Sequence, residues 1–149
     1  MEIKTQQPLK MLFKSVKATL KGLKECVNDT PDKFYEVAAQ SNLTPSGAQY
    51  WRYLDADGQP DTEFTLEMGL PISGEGSPAE FSIKEYPSFK YVSAIHDGAW
   101  DTIGQTYGKL IGELKMKGLN MSNECREVYL VVDEANPQNH KTEVQVGIQ

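Results

Sequence analysis

Apolar and polar side chains alternate along residues 11–20. Val16, Ala18 and Leu20 share one parity, and in an extended strand one parity is one face. The alternation returns at 87–96 with Val92, Ala94 and His96. Gly22 and Gly98 end these strands, and the period then changes. A helix is predicted to start near Asp29-Thr30-Pro31, where Asp or Thr suits the cap and proline the first turn, with Phe34, Val37 and Ala38 as its apolar face. Later, Ile103, Tyr107, Leu110, Ile111 and Leu114 recur at helical spacing and Gly118 is a natural stop. Gly104, Gly108 and Gly112 lower the propensity of that helix without changing its pattern. Two further strands follow each helix. Residues 49–55 and 64–72 are joined by the turn signal Asp55-Ala56-Asp57-Gly58-Gln59-Pro60. Residues 124–132 and 141–148 are joined by Asp133-Glu134-Ala135-Asn136-Pro137. Residues 81–86 are expected to lengthen the second strand–helix unit at its start, up to Pro87.

The two halves therefore predict the same element order, strand–helix–strand–strand. An ungapped shift lays 11–73 on 87–149 and keeps identities at Phe13/Phe89, Lys14/Lys90, Val16/Val92, Gly22/Gly98, Leu43/Leu119, Tyr53/Tyr129, Leu54/Leu130 and Asp57/Asp133. Met68, Leu70 and Ile72 fall on Val144, Val146 and Ile148. The expected fold is one α+β domain over 1–149, built from duplicated βαββ units (11–73 and 87–149) related by a pseudo-twofold. Neither half can bury both its helix and its sheet alone, so the two should share a core and leave a ligand cleft between them.

Composition narrows the class. The chain has 149 residues, of which 39% are hydrophobic, 24% charged and 9% aromatic, enough for one substantial core and unlike a disordered chain. The net charge of −6 opposes direct contact with nucleic acid. Lys10, Lys14, Lys17, Lys21 and Lys24 read as a solvated face. No apolar run is long enough to cross a bilayer and the first residues carry no apolar signal core, so no membrane partner and a cytoplasmic, bacterial protein are expected. Cys26 and Cys125 read as two lone thiols. The histidines His96 and His140 form no metal-ligand spacing, and GxGxxG, GxxxxGK[ST] and GxSxG are absent, so no metal or cofactor is expected.

Strand parity points to a site. Val128, Leu130 and Val132 share a parity and are expected to face the helix, which turns Glu127 and Tyr129 the other way. Trp51 and Tyr53 occupy the matching positions of the first unit. If these surfaces meet, they form an aromatic cleft with one carboxylate near its floor, suited to a flat, hydrophobic and especially a cationic ligand. Trp100 and Tyr107 can reach the cleft from the helix or belong to the core. The alternative for Trp51, Tyr53 and Tyr129 is plain strand packing. For Glu127 it is an edge position or a salt bridge to Arg126 or Arg52. His96 is a further candidate for the ligand site, though it reads more readily as a satisfied structural histidine than as an acid–base group. Glu67 and Glu143 are expected on solvated strand faces.

The stretch Tyr86-Pro-Ser-Phe-Lys-Tyr-Val-Ser-Ala-Ile-His-Asp-Gly-Ala-Trp100, the helix Tyr107-Gly-Lys-Leu-Ile-Gly-Glu-Leu-Lys-Met-Lys-Gly118, and Arg126-Glu-Val-Tyr-Leu130 with Lys141-Thr-Glu-Val-Gln-Val-Gly147 resemble the GyrI-like small-molecule-binding domain. This family is also called the effector-binding domain of bacterial transcription activators. The resemblance spans about residues 10–149. It implies a duplicated βαββ fold with the ligand between the halves, and hydrophobic, often cationic ligands of the multidrug kind. It places the family's acidic pocket residue at Glu127, with Tyr129, Trp51 and Tyr53 as neighbouring aromatics. One departure is Val146-Gly147-Ile148, where the family's closing strand commonly has an apolar residue followed by proline; the first half keeps Leu70-Pro71-Ile72. The segment before residue 11 is too short for a helix-turn-helix, so a free-standing protein is expected. Three functions follow: a sensor or sequestering protein; a hydrolase opening cyclopropane-type rings of DNA-alkylating compounds, with Glu127 as the catalytic candidate; or a protein-interaction module such as a gyrase-protecting protein, acting through a strand edge.

Overall fold

A computed structural model describes residues 2–149. Among the described residues nine strands and three helices follow in the order β1 (Lys4–Gln6), β2 (Leu9–Ala18), α1 (Leu23–Val27), α2 (Thr30–Gln40), β3 (Thr44–Pro45), β4 (Tyr50–Leu54), β5 (Phe64–Ser73), β6 (Ser82–Tyr86), β7 (Phe89–Asp97), α3 (Ile103–Met116), β8 (Met121–Val131) and β9 (Lys141–Ile148). Short 3-10 turns precede α3 at Trp100–Thr102 and β9 at Pro137–Asn139. Pro31 sits in the first turn of α2, and Gly118 ends α3 at φ 68°, a conformation that costs glycine little. The helix α1 was not expected from the pattern. Among the described residues no helix is long and apolar enough to cross a membrane.

The strands pair antiparallel in the order β1-β7-β9-β8-β4-β5-β2-β6, with β3 attached to β5. The protein is thus α+β, with a mostly antiparallel sheet. At its middle β4 meets β8, with Tyr50 opposite Val128 and Arg52 opposite Arg126. The ends of this path are joined by the chain itself. Gln6 lies opposite Phe89 and Leu9 opposite Tyr86, on one continuing register, with Pro8 and Pro87 at the bends. The sheet therefore curls on itself. This corrects the expectation for residues 81–86. They form β6, a separate strand paired with β2, instead of lengthening β7. Proline at 87 cannot donate to a ladder, and the chain turns there onto a new path.

Curling gives the sheet two interiors. On one side α2 covers Leu12, Leu66, Met68 and Leu70 with Phe34 and Ala38, while α3 covers Val92, Val144 and Val146 with Leu110 and Leu114. Truncating fully buried Phe34 to alanine would cost about 3–5 kcal/mol. On the other side, without helices, Met11, Tyr50, Tyr86 and Val128 pack together.

That helix-free interior also holds charges. Arg52 donates to Glu67 at 2.9 Å and to Glu124 at 2.6 Å, and Arg126, with no exposed surface, donates to Glu124 at 2.7 Å. Lys84 also pairs with Glu67. The Arg126 guanidinium lies 4.2 Å from the centre of the Phe89 ring. Glu67 is buried and Glu143 half-buried, which corrects the expectation of solvated faces. Alternating polarity marks a solvent face only when a sheet has one wet side, and this sheet curls its second side inward.

Candidate functional site

The helices leave the β4–β8 seam uncovered between them. A cleft of about 2190 Å³ opens there, floored by β4 and β8 and walled by α1, α2, the Trp100 turn and α3. It is an open trough, wider than the roughly 300–1,000 Å³ of a typical enclosed ligand pocket. Trp51, Tyr53, Trp100, Tyr107, Glu127 and Tyr129 all line it.

Parity brings them there, but on the opposite face from the one expected. Glu127 and Tyr129 lie on the helix-bearing side, since Tyr107 of α3 bonds to Glu127, while Val128 packs into the helix-free interior. Leu130 and Val132 are 47% and 50% exposed at the cleft rim. The β8–β9 register shifts between Tyr129 and Val131, so the period of two does not carry Val128's face on to Leu130. An apolar parity could not identify the helix side because both sides of the strand are interior.

Glu127 is the centre of the site. It is 6% exposed and accepts three hydrogen bonds from tyrosine hydroxyls: Tyr107 at 2.6 Å, Tyr129 at 2.6 Å and Tyr53 at 3.3 Å. Tyr53 comes from β4, Tyr129 from β8 and Tyr107 from α3. Neither Arg52 nor Arg126 pairs with Glu127; both point to the other side and hold Glu67 and Glu124. Burial pushes the Glu127 carboxyl above its ordinary range, and the three hydroxyls pull it partly back. Burial first, then the Glu127 charge, push Tyr53, Tyr107 and Tyr129 well above the usual phenol range. At neutral pH they are firm donors. Cys125, two residues away, has its thiol pushed up by burial to about 11 and is not a thiolate at neutral pH.

An aromatic row extends the site. Trp51 and Trp100 each meet Tyr129 edge to face at 5.6 Å. Trp100 donates its indole N–H to Thr142 at 3.0 Å and stacks on His140 at 4.0 Å. His140, which no sequence pattern singled out, is therefore part of the site's support.

His96, a ligand-site candidate from the sequence, stands apart from the cleft lining. It is 6% exposed, with Nε2 donating to the Ala99 carbonyl at 2.9 Å and Nδ1 accepting from the Thr106 hydroxyl at 2.7 Å. The carbonyl can only accept, which fixes the tautomer. Those bonds tie β7 to the start of α3. Among the described residues no group of three or more His, Cys, Asp or Glu is placed to hold a metal.

The sequence model of the GyrI-like small molecule binding domain matches residues 1–149. The chain belongs to the GyrI-like family. No curated protein sequence matches it. Solved structures with this GyrI-like fold include the C-terminal domain of EcmrR, at 19% identity and a TM-score of 0.78, covering 99% of this chain and 96% of that one. The EcmrR–DNA complex aligns at 18% identity and a TM-score of 0.81, over 99% of this chain but 56% of that one. SAV2435 bound to tetraphenylphosphonium aligns at 11% identity and a TM-score of 0.68, covering 99% and 93%. A hydrolase from Listeria innocua aligns at 11% identity and a TM-score of 0.65, covering 99% and 92%. At these identities the likeness is one of fold.

Proposed function

We propose that this GyrI-like protein binds hydrophobic cations in the cleft over the β4–β8 seam, as a cytoplasmic sensor or sequestering protein. One observation carries the reading. The single carboxylate on the cleft floor, Glu127, is buried and ringed by aromatic side chains. Ionised Glu127 supplies charge in a partly desolvated place, and the faces of Trp51, Trp100 and Tyr129 supply apolar, cation-attracting surface. The tetraphenylphosphonium bound by SAV2435 is a ligand of this chemical type. The net charge of −6 argues against direct contact with nucleic acid.

The reading includes a duplication of 11–73 and 87–149. Three features support it: the ungapped shift of the sequence, the repeated strand–helix–strand–strand order, and a strand path that runs outward in the same way from the β4–β8 seam.

A second reading is hydrolysis of a reactive ring. Tyr107 and Tyr129, each 2.6 Å from Glu127, provide a short path along which a proton can pass between carboxylate and substrate. Calorimetric titration with tetraphenylphosphonium and with a neutral compound of similar shape tests the first reading. Saturable, charge-dependent binding without consumption of ligand supports it. Equal binding of both compounds, or none, removes it. Turnover of a strained-ring alkylating agent, lost in Glu127→Gln, supports the second.

A further inference from the structure

Trp100 is the most exposed of the cleft aromatics named above, at 40%, and it stands on a 3-10 turn reached through Gly98 at φ 111°. A large ring on such a turn is free to swing unless something holds it. Three contacts do. The indole N–H bonds to Thr142, the ring edge meets Tyr129, and one ring face lies on His140 at 4.0 Å and 10° from parallel. His140 is 3% exposed and is itself fixed at both ends. Its Nδ1 accepts the backbone N–H of Asp133 at 3.0 Å, and its carbonyl accepts the Gly98 N–H at 2.9 Å. The histidine thus links the 133–140 loop to the turn that carries Trp100.

We propose that His140 is a positioning residue for the ligand cleft, holding Trp100 as a fixed wall beside Tyr129 and Glu127. The proposal rests on the cleft being a ligand site. His140 never touches the ligand. It acts because a flat buried ring behind the indole leaves Trp100 one orientation, so no ordering is left for the ligand to impose.

The test uses the full chain with tetraphenylphosphonium as probe. His140→Ala removes stack and acceptor, His140→Phe keeps the stack, and His140→Asn keeps an acceptor. His140→Ala and His140→Asn are expected to weaken binding roughly 3- to 10-fold, and His140→Phe to restore most of it. The chain has two tryptophans. A Trp51→Phe background therefore isolates Trp100 emission. That emission should shift in wavelength in His140→Ala and stay close to wild type in His140→Phe. Wild-type affinity and unchanged Trp100 emission in His140→Ala would overturn the proposal. If His140→Ala does not fold, equal affinity of His140→Phe and His140→Asn would overturn it instead. Should wild type bind no tetraphenylphosphonium, the ligand reading fails, and the emission arm alone decides whether His140 holds Trp100.

Discussion

Trp51 and Glu127 lie directly opposite each other across the β4–β8 seam. They are also the two residues that the ungapped shift of the sequence lays on one another. In the duplication proposed above, a residue and its counterpart become cross-strand partners only at the two-fold axis. The axis then runs through the cleft floor, and the one place where both halves contribute equivalent positions carries an indole on one side and a carboxylate on the other. A symmetric pair of acids there would repel at the short distance of a directly opposed pair.

Glu127→Gln keeps the shape of the floor and removes its charge. Binding of tetraphenylphosphonium should weaken by about 1–3 kcal/mol, and binding of a neutral compound of similar shape should change far less. Matched calorimetric titrations check this, and an equal loss for both compounds would refute the charge role.

The pH dependence of binding has a definite sign. Burial raises the Glu127 carboxyl above its ordinary range, so cation binding should fall as pH drops through that raised value, before ordinary carboxylates protonate. For folding, a raised acid contributes stability that is complete below its unfolded pKa and is lost as pH rises through its folded pKa. Glu127→Gln should flatten both profiles. A binding profile that keeps its shape in the variant would assign the titration to another group.

Trp51→Ala should weaken hydrophobic ligands by about 1–3 kcal/mol, because the indole faces the cleft and meets Tyr129 edge to face. Fluorescence competition on a variant with native circular dichroism reads the loss. Undiminished affinity would place the ligand elsewhere in the trough.

The helix-free interior predicts a stability effect separate from binding. Glu124 serves both Arg52 and Arg126, and Arg126 already keeps Nη1 without a partner. Glu124→Gln should cost about 3–5 kcal/mol in urea denaturation, since it leaves the buried Arg126 without a carboxylate, while Arg52 keeps Glu67. Burial would raise the Glu124 carboxyl, but the Arg52 and Arg126 guanidiniums hold it below its ordinary range. Its contribution is therefore present above the unfolded value and lost as pH falls through the folded one, opposite in sign to that of Glu127.

Gly147→Ala should destabilise by about 1–3 kcal/mol or more without touching the cleft. A Cβ at Gly147 would run into the Ser122 hydroxyl, the Glu124 carbonyl and the Phe89 ring. Two of the three are hard to move. A thermal melt equal to wild type would show that β8 can shift there.

Much of the site was legible. Trp51, Tyr53, Glu127 and Tyr129 could be grouped by strand parity alone, because side chains two apart share a face whatever that face meets. Tyr107 could be added from helical spacing, and Trp100 from its place just before that helix. His140 was not legible, because it sits in a loop where no period applies and its role depends on a stack with a residue far away in sequence. The burial of Glu67 was not legible either, since its partners Arg52 and Lys84 come from other strands.

The sequence by itself determined the element order, the repeat of its pattern, and the pairing of one acid with aromatic residues of like parity. These depend on local periods and turn chemistry, which neighbouring residues carry. Only the tertiary structure decided which side of the sheet is the cleft, where 81–86 pairs, and which hydroxyls hold Glu127. Curling makes both sides of β4 and β8 interior, so polarity no longer tells inside from outside. Three tyrosines from three different elements then converge on one carboxylate at distances that no spacing along the chain encodes.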